Sequence, residues 1–133
     1  MIYLLDTNVC IALMRGHVEV CRMMRSQRPS DCVVSTVSLY ELQSGVERCR
    51  QPVVERQKVE AFLRPLNLQS FDAEAAGQTA RIRWSLEQRG QMIGPYDLML
   101  AGQALAFGLI LVTHNQNEFG RIHNLQLEDW ETS

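Results

Sequence analysis

No apolar run in this sequence approaches the length of a membrane span. Internal repeats, low-complexity tracts and linker-like stretches are also missing, so the 133 residues are expected to form one domain, 1–133. The four cysteines, Cys10, Cys21, Cys32 and Cys49, lack C-x-x-C spacing and paired histidines nearby, which argues against zinc. Nothing ahead of the first strand reads as a secretory signal. The thiols are therefore expected to be reduced, mostly core-filling groups in a soluble cytoplasmic protein. A strong charge of one sign is absent too: the net charge of -2 carries no global nucleic-acid signature. Its distribution says more. Arg15, Arg22, Arg25, Arg28, Arg48, Arg50, Arg56, Lys58 and Arg64 make the first half basic, while Glu118, Glu128, Asp129 and Glu131 weight the tail acidic. An arginine-rich side can hold a polyanion even on a mildly acidic protein, although most such residues, taken singly, only solvate helix faces.

What is present is an alternation of strands and helices. Residues 1–5 are an apolar, β-branched and aromatic run ending on Asp6, the pattern of a buried strand. Helices are expected over 7–15, closed by Gly16, and over 18–27; a turn at 28–31 leads to a short β-branched strand at 32–35. A helix follows through Val37, Leu42 and Val46, another spans 53–64, and residues 66–69 alternate as a half-buried strand. Asp72 opens a long helix that Gly90 ends, with Ala76, Ala80 and Trp84 in one row and Thr79, Ile82 and Leu86 in the next. Gly94-Pro95 starts a helix over 96–107 that is apolar nearly all round and should be central. Residues 109–113 form a strand of the parallel-sheet type, and 125–127 a last short one. The order predicts an α/β fold, a three-layer α/β/α sandwich around a mostly parallel sheet.

Three carboxylates occupy comparable places. Asp6 ends the first strand, Glu41 lies in the first turns of the helix after the second, and Asp97 lies in the first turn of the central helix. In a parallel sheet these places fall on one edge, so the three acids are expected to converge there. Each has a local explanation as well. Asp6-Thr7-Asn8 can cap a helix, Ser38-x-x-Glu41 matches a capping box, and Asp97 suits a helix dipole. Three together favour a shared ion, because clustered carboxylates repel unless a cation neutralises them. Hard oxygen donors suit Mg²⁺ or Mn²⁺, and such a site serves phosphodiester cleavage.

Leu4-Leu5-Asp6-Thr7-Asn8, Tyr40-Glu41-Leu42 with Ser44-Gly45, Ile93-Gly94-Pro95-Tyr96-Asp97, Val112-Thr113-His114-Asn115 with Glu118-Phe119, and Leu127-Glu128-Asp129-Trp130 together resemble the PIN domain. More narrowly they resemble the VapC toxins of bacterial toxin–antitoxin pairs. The resemblance runs in order through essentially the whole chain. It implies a PIN-like fold and a Mg²⁺- or Mn²⁺-dependent endoribonuclease with Asp6, Glu41 and Asp97 as its acidic site, Asp6 and Asp97 on the metal. It also implies a homodimer, a cognate VapB antitoxin in a higher complex, and DNA contact only through that antitoxin. Thr7 and Asn8 would support the site by hydrogen bonds. Many family members carry a fourth acid two residues beyond a threonine; that place, counted from Thr113, is Asn115 here. Asn115 and the nearby Glu118 are both candidates for it. His114 is considered for acid–base work, but a lone histidine at a strand end is more often structural, and His17 and His123 show no evident partners. Arg22, Arg25, Arg48, Arg50 and Arg81 are candidate RNA contacts. The likeness to enterobacterial members points to the anticodon stem-loop of initiator tRNA as substrate.

Competing readings are weaker. A phosphatase with Asp6 as nucleophile would show D-x-D-x-T, whereas Asp6-Thr7-Asn8-Val9-Cys10 lacks the second carboxylate. A helix-turn-helix lacks a distinct recognition helix. A catalytically silent PIN-like module that binds RNA or a partner stays the alternative, with the three retained acids against it.

Overall fold

The computed structural model describes residues 1–132. Its centre is β1 (Tyr3–Leu5), whose side chains alternate between two faces. On one side β1 pairs with β2 (Cys32–Ser35), and on the other with β4 (Ile110–Val112). The register aligns Leu4 with Val33 and Leu111, and Leu5 with Val34 and Val112. All six are fully buried, so β1 is covered on both faces, as its unbroken apolar run requires. Short β3 (Asn67–Gln69) and β5 (Leu127–Glu128) complete the sheet in the order β3-β2-β1-β4-β5, with every pair parallel.

Each face is roofed by helices. α1 (Thr7–Met14), α2 (Val18–Arg25), α3 (Thr36–Arg48) and α4 (Pro52–Leu63) cover the Leu5 face, where Val9, Val20, Leu42, Val46, Val59 and Trp130 pack together. α5 (Ala73–Gln88) and α6 (Pro95–Phe107) cover the Leu4 face through Ile82, Leu86, Leu98, Leu100 and Ala104. A short α7 (Gln116–Phe119) plants Phe119 in the same cluster. The expected three-layer α/β/α sandwich is thus the observed one. The chain winds from β1 out to β3, then crosses back to β4 beside β1. A switch of direction between two neighbouring strands opens a crevice at their carboxyl ends.

Several details depart from expectation. The helix over 96–107 is central and largely buried as expected, and its one buried polar side chain, Gln103, is bonded on both sides. Ser35 Oγ donates to Gln103 Oε1 at 2.5 Å, and Gln103 Nε2 donates to the carbonyls of Gln69 and Ser70 at 3.0 and 3.3 Å. This polar clamp ties α6 to the carboxyl ends of β2 and β3. Close approach of α5 and α6 has its own cause. A Cβ at Gly102 would stand 2.8 and 2.9 Å from the backbone N and Cα of Thr79. The edge strand β3 turns Leu68 outward, 53% exposed, and the Ala76, Ala80, Trp84 row of α5 faces solvent. The last strand lies at Leu127–Glu128 rather than 125–127, and α7 was not expected.

Candidate active site

Asp6 leaves β1 and becomes the N-cap of α1, its Oδ1 accepting the Val9 N–H at 2.8 Å. The capping explanation is therefore correct, yet incomplete. Asp6 is only 4% exposed. Burial raises its pKa, while the Thr113 hydroxyl and the Val9 and Asn8 N–H groups pull the other way and Glu131 adds repulsion. Thr113 directly follows β4, so the ends of the two strands flanking the crevice both contribute to this one carboxylate.

Glu41 arrives from α3, and here the capping-box explanation fails. Ser35, not Ser38, caps α3, its Oγ accepting the Val37 N–H at 3.0 Å. Ser38 and Glu41 are thus inside the helix. Glu41 Oε1 accepts a hydrogen bond from the Thr7 hydroxyl at 2.6 Å, and Thr7 Oγ1 is also bonded to Ser38 Oγ at 2.8 Å. Thr7 and Ser38 together tie Glu41 to the start of α1.

Asp97 is the third residue of α6, a helix whose cap, Gly94, offers no side chain. Its carboxyl is pushed up to about 6, first by burial and then by Asp6, Glu118 and Glu41. Asp6, Glu41, Asp97 and Glu118 thus share one electrostatic neighbourhood. The chemistry of the donor set, hard carboxylate oxygens in mutual repulsion, fits Mg²⁺ or Mn²⁺.

Asn115 has a local role: it caps α7, its Oδ1 accepting the Glu118 N–H at 3.5 Å, while its own N–H donates to Thr113 Oγ1 at 3.0 Å. Asn8 is exposed in the first turn of α1.

Beside these acids lies a group that sequence reasoning did not assemble. His114 Nδ1 is 2.9 Å from Glu131 Oε2 and 3.1 Å from Asp129 Oδ2. Glu131 N–H and the Thr132 hydroxyl orient Asp129 at 2.9 and 3.1 Å. Burial alone would raise the Asp129 pKa; these two donors and His114 bring it below the usual value. Among the described residues, His114, Asp129 and Glu131 are the trio whose ligand atoms all lie within 4.8 Å of one another, a set suited to a divalent cation. His17 also has a partner: it caps α2 through Nδ1 and sets Nε2 3.6 Å from Glu131. No sequence signal joins residues 17, 114 and 131; only the fold does.

The candidate RNA contacts are not one patch. Arg22 and Arg25 lie on α2, with Arg22 paired to Glu19 at 2.8 Å, while Arg48 closes α3 and Arg50 follows it. Arg81 stands on α5 in the opposite layer. Arg48 and Arg56 line a groove of about 590 Å³ between α3 and α4, together with Tyr40, Glu47 and Leu63. Tyr40 and Tyr96 cross from α3 to α6 in edge-to-face contact, centroids 5.6 Å apart, with hydroxyls 3.3 Å apart. The Tyr96 hydroxyl is pushed up by that bond and by Tyr40 itself, then slightly by burial and Glu41, against the opposing charge of Arg48.

The PIN domain family matches residues 3–125. A tRNA(fMet)-specific endonuclease VapC from Shigella flexneri is 36% identical over 96% of this chain and 97% of its own length. Its counterpart from Salmonella typhimurium is 38% identical over the same shares. Among solved structures, DNA-bound VapBC from Salmonella typhimurium superposes with a TM-score of 0.92 at 37% identity, covering 98% of each chain. VapBC2 from Rickettsia felis, bound to a promoter fragment, gives 0.91 at 34% identity over 98% of this chain and 99% of that one. With the sheet order, the acidic edge and these relatives in agreement, the chain belongs to the VapC family of PIN-domain ribonuclease toxins from type II VapBC toxin–antitoxin systems.

Proposed function

We propose that this chain is a Mg²⁺-dependent endoribonuclease, with Mn²⁺ able to substitute, whose acidic edge cleaves tRNA and so blocks translation. The observation that carries the reading is the gathering of carboxylates at the carboxyl edge of the sheet: Asp6 is buried at the end of β1, Thr7 holds Glu41 against the start of α1, and the pKa of Asp97 in the first turn of α6 is raised by burial and by Asp6, Glu118 and Glu41. Carboxylates so gathered suit a divalent cation. Asp6 and Asp97 are its assigned ligands. Bound there, the metal would supply Lewis-acid stabilisation of the phosphodiester oxygens and acidify a water. Glu41, with Oε1 fixed by Thr7, keeps Oε2 to accept the proton of the attacking water. The fourth position goes to Glu118, since the Asn115 carbonyl is committed to capping α7. Thr7 and Asn8 support the first two acids by hydrogen bonding to Glu41 and Asp6.

The substrate reading follows the relatives named for tRNA(fMet): initiator tRNA, cut in its anticodon stem-loop. Arg22, Arg25, Arg48 and Arg50 on the α1–α4 side are the candidate phosphate contacts; Arg81, on the far layer, would reach RNA only around a second copy. The exposed Ala76, Ala80 and Trp84 row supports a homodimer. The antitoxin-bound relatives support a VapB-type partner, with DNA reached through it. No helix among the described residues is long and apolar enough to cross a membrane, which is compatible with a cytoplasmic site of action. Sequencing RNA ends after brief expression tests the substrate. Cuts in the initiator tRNA anticodon loop are expected; intact initiator tRNA alongside cut messenger or ribosomal RNA would overturn this choice and leave the nuclease reading standing.

A further inference from the structure

Tyr40 and Tyr96 are 53% and 40% exposed, and neither belongs to the two apolar clusters that hold the sandwich together. Two large aromatic side chains from different helices meet at the surface without packing the interior. An edge-to-face pair occupies the edge of one ring and one face of the other. Three of the four ring faces are thus left uncovered by the pairing. The place of the pair is as informative as its exposure. Tyr40 directly precedes Glu41 on α3 and Tyr96 directly precedes Asp97 on α6, so the helix segments that carry two of the proposed site acids also carry the rings. Glu41 and Arg48 are both within electrostatic reach of Tyr96, so the pair has a carboxylate and a guanidinium as neighbours. Tyr40 and Arg48 also share the wall of one groove. Acidic, aromatic and basic groups gathered at one surface suit what a single strand of RNA presents: phosphates and an unpaired base. Every base has a π face, and unpaired bases are held on tyrosine rings by stacking.

We infer that Tyr40 and Tyr96 form a stacking subsite that holds one unpaired base of the RNA next to the scissile phosphate. The inference rests on the nuclease reading above and adds to it how the strand is positioned. The edge-to-face contact between the rings holds them against each other across α3 and α6, which limits the side-chain freedom lost on stacking.

The test uses the purified full chain and a short stem-loop RNA, intact or with one abasic ribose at each loop position near the cut. The variants are Tyr40→Leu/Tyr96→Leu and Tyr40→Phe/Tyr96→Phe, with melting temperature as the folding control. For the wild type, kcat/KM should fall about tenfold at one abasic position, mostly through KM, as loss of a base–aromatic stack requires. The double leucine variant should cut intact RNA about tenfold more slowly and show no further loss at that position. The double phenylalanine variant should recover most of the rate. A leucine variant that cuts intact RNA at the wild-type rate, or that keeps full sensitivity to every abasic position, would overturn the subsite. So would one whose only defect is weaker binding of an antitoxin peptide. Wild-type protein that fails to cut intact RNA with Mg²⁺ would sink the nuclease reading itself, and the subsite with it.

Discussion

Replacing Asp97 by Asn should make the metal-free protein more stable while removing its activity. The folded carboxyl sits at about 6 against an ordinary 3.8, so the native state holds a proton that the unfolded chain releases between those values. A raised carboxylate pKa means that stability is lost as pH climbs through this window, and the penalty is complete above about pH 6. At full strength the difference corresponds to about 3 kcal/mol. Solvent screening at a half-buried group reduces this to roughly 1.5 kcal/mol. For a chain of this length that is a rise in Tm of about 5 °C. Calorimetry in EDTA at pH 7.5 should show the variant melting higher, and the advantage should vanish near pH 4. Adding Mg²⁺ or Mn²⁺ should raise the wild-type Tm and leave the variant nearly unmoved. A variant that melts at or below the wild type in EDTA at pH 7.5, or whose advantage does not change with pH, would refute the argument.

Other outcomes follow from the packing. Gly102→Ala should cost about 1–3 kcal/mol in urea unfolding, because the methyl meets the Thr79 hydroxyl and, even if that rotates away, the Thr79 backbone. Gln103→Leu should cost about 2 kcal/mol or more, since the carbonyls of Gln69 and Ser70 and the Ser35 hydroxyl lose their buried partner; wild-type stability would contradict the clamp. Glu118→Gln should lower the cleavage rate more than Asn115→Ser, which keeps a capping oxygen; the reverse order would return the fourth position to Asn115.

The sheet and its acidic edge were legible because their signals are local or nearly so. Leu4-Leu5 and Leu109 to Val112 are strand-like runs, and Gly108, at φ 64°, ends α6 where its sequence position suggests. Parallel topology then carries Asp6 and Asp97 to one edge. What was missed depends on contacts across the fold. Gln103 is one polar residue in an apolar helix, and nothing local says that Ser35, 68 residues earlier, will bond to it. Ser38 to Glu41 matched a capping box, but the box loses its meaning once Ser35 takes the cap one turn earlier. The His114, Asp129 and Glu131 group joins the end of β4 to the tail, and the Tyr40–Tyr96 pair spans 56 positions. Residues 66–69 alternate as a half-buried strand, and nothing local says that Leu68 is the one left exposed on the edge strand β3.

The most direct measurement is cleavage of initiator tRNA by purified protein free of antitoxin, in EDTA and after adding back Mg²⁺ or Mn²⁺, for the wild type and for Asp6→Asn. Wild-type protein should be silent in EDTA and cut on adding metal. Asp6→Asn, folded by melting temperature, should stay silent in both. Equal cutting by Asp6→Asn, or wild-type cutting that EDTA does not stop, would contradict a metal-dependent site built on these carboxylates.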